Sequence, residues 1–269
     1  MNSNPIGVFD SGIGGLTAVK RLIQLLPNEN IVYLGDTGRV PYGSRSRDTI
    51  LKYARQNADF LLRLGIKAMI IACNTVSSTA FDDISRGASI PIFEVINPPS
   101  ALAVRATNNG KIGVIGTKAT VRSGAYRRAI ESLDPSLEVQ CAACPLFVPL
   151  AENGRTSPDD VAVMAITRDY LAPIVQFGAD TVILGCTHYP LLRAAVARAL
   201  PPGVTLIDSG AVTAEYAAGQ LGALGLLSSS VDTGVRRYFV TDAAEDFESL
   251  AGAFLGADIS GLAEQTSLE

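Results

Sequence analysis

The chain alternates between short runs rich in Val and Ile and longer stretches in which apolar positions recur every three or four residues. The short runs lie at Ile6–Phe9, Ile31–Leu34, Ala68–Cys73, Ile92–Val95, Lys111–Ile115, Val182–Cys186 and Thr205–Asp208. Strand-like runs separated by helical spacing predict βα units around a mostly parallel sheet. After Ser44, the positions Ile50, Leu51, Ala54, Ala58, Leu61 and Leu62 predict a helix that Gly65 closes as a left-handed cap. A second helix is expected to begin at Ser157, with that hydroxyl as its cap, Pro158 in the first helical position, and Asp159 and Asp160 in the positive first turn. Pro173 is expected to kink or end it.

The pattern also repeats over a longer range. Gly7-Val8-Phe9-Asp10-Ser11, a strand running into a polar turn, is echoed by Gly113-Val114-Ile115-Gly116-Thr117. Ile70-Ile71-Ala72-Cys73-Asn74-Thr75 is answered by Ile183-Leu184-Gly185-Cys186-Thr187-His188. The separations match closely, 65 residues from Val8 to Cys73 and 72 from Val114 to Cys186. Two pseudo-symmetric α/β lobes follow, each a mostly parallel sheet flanked by helices. In open α/β sheets ligands sit beyond the carboxyl ends of the strands, so Cys73 and Cys186 are both expected at ligand-facing turns, opposed if the lobes face each other.

Composition narrows the class. A chain of 269 residues is long enough for two domains, and 48% hydrophobic against 18% charged residues describes a folded globular protein. The net charge of -4 argues against a general nucleic-acid or anionic-membrane binder. No apolar window is long enough to span a bilayer, since Glu215 and Gln220 interrupt the stretch from Ala211 to Leu227. The opening MNSNPIGVFD lacks the basic and apolar segments of a signal peptide, so a cytoplasmic protein is expected. There Cys73, Cys141, Cys144 and Cys186 are expected to be reduced, each either a small core residue or a reactive thiol.

Two thiols facing one tetrahedral carbon suit the removal of a proton on one side and its return on the other. With an ordinary thiol pKa of about 8.5, modest perturbation leaves one as thiolate and the other as thiol near neutral pH. Reactive approach on both faces implies sulfurs roughly 6–7 Å apart. His188, the only histidine, is placed to assist the Cys186 side by holding a proton or binding a carboxylate; a packing histidine is the plainer alternative. One imidazole cannot serve both turns, which argues against a Cys-His hydrolase at Cys73. The glycines from Gly12 to Gly15 resemble half a dinucleotide fingerprint, but Thr17 holds the third glycine position. They are better read as permitting a tight turn and the close approach of substrate. Cys141 and Cys144 have redox or zinc spacing without a second Cys/His pair, so a buried strand is expected there and no metal site. Lys20, Lys52, Lys67, Lys111 and Lys118 all lie outside the cysteine turns, which argues against a pyridoxal Schiff base. No cofactor is expected.

Taken together, FDSGIGGLT, GDTGRVPYG, IACNTVSS, PLAENG and GCTHYPLL resemble the glutamate racemases, a cofactor-independent family of bacterial cell-wall synthesis within the Asp/Glu racemase superfamily. The likeness runs from residue 6 to about residue 210. It implies that Cys73 and Cys186 are the acid/base catalysts, one for each enantiomer of glutamate, and that the product supplies D-glutamate to peptidoglycan. By the same resemblance Asp10 and Ser11 form a substrate-binding turn, with the Asp10 carboxylate on an ammonium group or orienting Cys73. Tyr42 and Gly43 form a second binding loop, and Asn74, Thr75, Thr187 and His188 make the remaining contacts, with Thr117 contributing similarly. Asp36 and Glu152 resemble residues that assist proton transfer or orient the catalytic groups, although either reads equally well as a solvated loop carboxylate. The implied layout is discontinuous: residues 1–97 plus 209–269 form one lobe, residues 98–208 the other, and substrate lies in the cleft between them. The partner implied is a small molecule, L- or D-glutamate, with no nucleic acid and no membrane. A homodimer is compatible with the sequence, which does not fix the oligomeric state. Two alternatives remain open: a racemase or decarboxylase of the same superfamily acting on aspartate, a hydantoin or a malonate, and a sensor that binds an amino acid without turnover.

Overall fold

The computed structural model of the chain describes residues 3–268. Its strands are β1 (Ile6–Asp10), β2 (Ile31–Gly35), β3 (Ala68–Ile71), β4 (Ile92–Glu94), β5 (Lys111–Gly116), β6 (Glu138–Ala143), β7 (Thr181–Gly185), β8 (Thr205–Asp208), β9 (Arg236–Val240) and β10 (Ala263–Gln265). They form a six-stranded sheet of order β10-β9-β2-β1-β3-β4 and a four-stranded sheet of order β6-β5-β7-β8. Every pairing is parallel.

The order β2-β1-β3-β4 recurs as β6-β5-β7-β8, so the echo read in the sequence is a repeated topology. Phe9 lies beside Ile71 in the first sheet, and Ile115 beside Leu184 in the second. Continuing each register by two positions sets Ser11 next to Cys73 and Thr117 next to Cys186. The two cysteine turns are therefore equivalent places in two copies of one fold.

Both sheets are covered on both faces, as parallel sheets generally are. Ile6 and Val8 point into a core shared with Leu16, Val19 and Leu22, while Phe9 joins a second core with Ala54 and Leu61. In the other sheet Leu184 and Ile183 divide in the same way. This explains why the predicted runs are continuously apolar: alternate residues face different cores, and neither face meets water.

The chain passes between the sheets twice. After Glu94 it enters the helix Asn97–Ala106, which packs on β7 and β8; after Asp208 it enters the helix Ser209–Ala223, which packs back on the helix Leu16–Leu25. β9 and β10 then extend the six-stranded sheet. Among the described residues no helix is long and apolar enough to cross a membrane.

Several expectations need correction. β9 and β10 were absent from the predicted strands, and β6 was foreshadowed only by the buried-strand reading of Cys141 and Cys144. All three lie at or next to a sheet edge and carry polar residues such as Glu138, Gln140, Arg236, Arg237 and Glu264, so no Val/Ile run marks them. The predicted strands ending at Cys73 and Cys186 stop short, at Ile71 and Gly185, which frees both cysteines for the turns. The first helix runs Arg47–Arg63 behind a Ser46 cap, and Gly65 takes φ 69° as expected. The second is capped by Asp160, not Ser157: its carboxylate accepts from the N–H groups of Ala162 and Val163, and the helix is Val161–Phe177. A carboxylate is the stronger acceptor at a positive helix end, and Arg155 holds it at 2.7 Å, whereas Ser157 accepts from Asp159 in the preceding turn. Pro173 does not end this helix. The buried Leu171 and Ile174 pack it to the described core on either side, and Gly178, at φ 78°, closes it instead.

Candidate active site

Each sheet presents a cysteine at the carboxyl end of an interior strand. Cys73 stands in the cap position of the helix Asn74–Ser85, and Cys186 leads into the helical turn Tyr189–Leu192. Both are free, both are buried, and both line one cavity of about 450 Å³. Strand ends point the turns toward the cavity, and the helix start behind Cys73 adds N–H groups and a positive dipole end.

On the first side, the Cys73 thiol lies 3.4 Å from Ser11 Oγ. Asp10 stands behind this turn, fully buried and outside the cavity wall; its Oδ2 accepts from the Gly12 N–H at 3.1 Å, and its Oδ1 has no hydrogen-bond partner. Burial raises the Asp10 carboxyl, opposed by the charge of His188 and by the N–H groups of Gly15, Gly12 and Ser11. Burial, with the Asp10 charge added, pushes the Cys73 thiol up to about 12 against the lowering contact of Ser11.

On the second side, His188 bridges two groups. Its Nδ1 is 4.0 Å from Cys186 Sγ and 3.5 Å from Thr187 Oγ1, and its Nε2 is 2.9 Å from Glu152 Oε1. The ring is buried edge-on against Phe254, at 5.3 Å between centroids, so its position is fixed from a third direction. Cys186 is raised well above its usual value, chiefly by burial, with the His188 N–H opposing and the charges of Cys73, Asp10 and Glu152 adding. Burial thus moves both thiols toward the neutral form, a larger perturbation than the modest one expected from an ordinary thiol value. The reason is that the turns are desolvated, a quantity the sequence does not carry.

Ser11, Tyr42, Gly43, Asn74, Thr75, Thr117, Glu152, Thr187 and His188 join the two cysteines in the cavity wall. Thr75 and Thr117 hydrogen-bond to each other at 3.0 Å from opposite sheets, and Thr117 Oγ1 also accepts from the Thr120 N–H. A Cβ on Gly43 would lie 3.0 Å from Thr117, so the second loop closes tightly on the same residue. The Asn74 amide is turned away: Oδ1 accepts from the Tyr126 hydroxyl at 2.6 Å, and Nδ2 donates to Ser209 at 3.3 Å.

Asp36, read as a catalytic candidate, lies outside the cavity wall. Arg39 pairs with it at 2.7 Å, Thr241 donates to it at 2.8 Å, and the Tyr42 hydroxyl donates to its remaining face. Its place is behind Tyr42, where it holds the loop. The glycine turn is also used differently from the expectation. Gly12 lines the cavity, but a Cβ on Gly14 would come within 2.2 Å of Thr187 Oγ1 and 2.5 Å of His188 Nδ1, so that glycine admits the opposite cysteine turn.

The sequence reading missed Lys118 and apolar residues such as Val40, Pro145, Val148 and Pro149, which also line the wall. Lys118 directly follows Thr117, the signal that could have found it. Lys67 is instead buried against Glu29 at 2.5 Å, at the foot of the six-stranded sheet. Cys141 lies in β6 and Cys144 just past it, the latter buried with its thiol toward Ala142 O. Among the described residues no group of three or more His, Cys, Asp or Glu side chains is placed to hold a metal ion.

Sequence and fold comparisons agree on what such a cleft belongs to. The Asp/Glu/Hydantoin racemase family profile matches residues 15–217. The glutamate racemase of Geobacter metallireducens is 43% identical over 264 residues, covering 98% of this chain and 97% of that one. The glutamate racemase of Chlorobaculum tepidum is 45% identical over 259 residues, covering 96% and 94%. The crystal structure of the Francisella tularensis glutamate racemase in complex with D-glutamate superposes with a TM-score of 0.93 at 39% identity, covering 100% of this chain and 99% of that one.

Proposed function

The chain belongs to the Asp/Glu/hydantoin racemase family and is an amino-acid racemase, and from that premise we propose that it interconverts L- and D-glutamate by proton exchange at Cα between Cys73 and Cys186. The observation that carries this reading is the pair of buried thiols, supplied by two different sheets, opening into one cavity. One sulfur, as thiolate, takes the Cα proton, and the electron pair left on carbon is delocalised into the adjacent carboxylate. The opposite thiol then gives its proton to the other face. Each turnover exchanges the protonation states of the two sulfurs, so the reverse reaction starts from the product state without a net change in charge.

Neutral thiols require help to ionise. The ammonium group of the substrate brings a positive charge between them, and a nearby cation lowers a thiol pKa. Asp10, with one oxygen unpartnered behind Cys73, is placed to share that proton, and Glu152 holding His188 serves Cys186. The hydroxyls of Ser11, Thr75, Thr117 and Thr187 and the N–H groups at the start of the helix Asn74–Ser85 offer donors to two carboxylates. We assign residues 1–97 plus 209–269 and residues 98–208 as the two lobes. The product supplies D-glutamate for peptidoglycan, and thiols that must remain reduced suit the cytoplasm.

The test is racemisation of each glutamate enantiomer by dialysed protein in deuterated water, beside a panel of aspartate, hydantoins and malonates. The inverted product is expected to carry solvent deuterium at Cα. Cys73→Ala and Cys186→Ala are each expected to lower racemisation by at least about 10³-fold, as for a lost acid/base partner. Retention of the original hydrogen, or preference for another substrate of the panel, overturns the assignment.

A further inference from the structure

One buried side chain touches both cysteine turns from behind. Tyr126 lies in the helix Ala125–Leu133 beside the four-stranded sheet, and its hydroxyl is 2.6 Å from Asn74 Oδ1 and 2.7 Å from Val95 O. Asn74 follows Cys73 and opens its helix; Val95 lies in the first crossing between the sheets. The ring of Tyr126 packs on Gly185, the residue before Cys186, where an added Cβ would lie 3.0 Å from the Tyr126 ring. The other end of the Asn74 amide is held by Ser209, at the second crossing, and Ser209 in turn donates to Leu184 O in β7 at 2.9 Å.

Strand register fixes positions within a sheet, but Cys73 and Cys186 come from different sheets, and among the described residues no ladder spans the gap. Something else must set their spacing. We propose that Tyr126 is a positioning residue that sets the separation of the two cysteine turns, its hydroxyl locating the Cys73 turn through Asn74 and its ring seating the Cys186 turn through Gly185. The proposal rests on the two-thiol reading given above. A misplacement of about 1 Å in a reacting group can cost roughly 100-fold in rate, so a spacer of this kind acts on turnover even though it touches no substrate.

Tyr126→Phe keeps the ring on Gly185 and removes the hydroxyl. The expected result is a fall in kcat of about 10- to 100-fold in both directions, with KM for either enantiomer within about threefold of wild type. The primary isotope effect on α-deuterated glutamate is expected to rise, because proton transfer becomes the slower step. Ser209→Ala releases the same amide from its other end while keeping the phenol and its ring on Gly185, and is expected to lower kcat in the same sense. In the double variant the two effects are expected to combine less than additively, since they act through one side chain. Wild-type kcat in both single variants, or losses accounted for by the unfolded fraction alone, overturns the proposal. If Tyr126→Phe does not fold, Ser209→Ala decides by the same kcat and isotope readings. Absence of glutamate racemisation by the wild-type protein would instead refute the two-thiol reading itself.

Discussion

Burial decides what each sulfur does before any substrate arrives. The Cys73 thiol is pushed up to about 12, mainly by desolvation and then by the Asp10 charge. Its folded value lies above the ordinary thiol value, so the proton is bound more tightly in the folded state. That contribution to stability is complete below the ordinary thiol pKa of about 8.5 and is lost as the pH rises through about 12. The same sign governs reactivity. Alkylation of Cys73 by iodoacetamide, mapped by mass spectrometry at pH 8, is expected to run at least about tenfold slower than that of an ordinary thiol, and to climb steeply only above pH 9. A plateau reached below pH 8 would show that the free cleft already stabilises the thiolate. At this scale the structure brings together residues the sequence singles out: Cys73, Cys186, Ser11 and His188 all line one cavity. It could not separate Asp10 and Asp36, which lie behind the wall, from Glu152, which lies in it. Carboxylates in polar turns look alike until their hydrogen-bond partners are known.

Among the elements, the clearest disagreement between pattern and structure is the start of the helix Val161–Phe177. Ser-Pro-Asp-Asp offers three side chains able to cap, and local preference alone slightly favours the serine that precedes a proline. The structure selects Asp160, because Arg155, five residues upstream, also reaches that carboxylate. Asp160→Ala is expected to lower the melting temperature by about 2–4 °C, Asp160→Asn by less, and Ser157→Ala by less still. Thermal unfolding measured for the three variants checks this, and a larger effect at Ser157 than at Asp160 would restore the sequence-based cap. The Asp160 carboxyl is held below its usual value first by Arg155 and then by helix N–H groups. Its contribution is therefore present above pH 3.8 and fades as the pH falls further.

At the scale of the whole molecule, the cleft depends on how closely two separately built sheets approach. Gly14 is the point of tightest passage, since any Cβ there would meet Thr187 and His188, both from the other sheet's turn. His188 cannot step aside, being held by Glu152 and packed on Phe254. Gly14→Ala is expected to lower kcat/KM by more than about tenfold while circular dichroism retains the wild-type spectrum, because each sheet stays intact and only their approach changes. Wild-type activity in this variant would show that the turns separate without consequence. Thr17, whose hydroxyl reaches Thr187 O at 3.2 Å, marks the same seam one helical turn further on.

The sequence by itself determined the apolar inner strands, the repeat and the placing of two cysteines at matching strand ends, because each is written in short-range pattern: apolar runs buried on both faces, and two strand ends that share one motif. Tertiary structure alone decided the rest. It settled which carboxylates face the cleft, that Asn74 turns its amide toward Tyr126 and Ser209, that Lys118 joins the wall, and that burial raises both thiols. Each of these depends on groups distant in the chain meeting in a space closed to water. Desolvation and partner geometry arise only once the two halves come together.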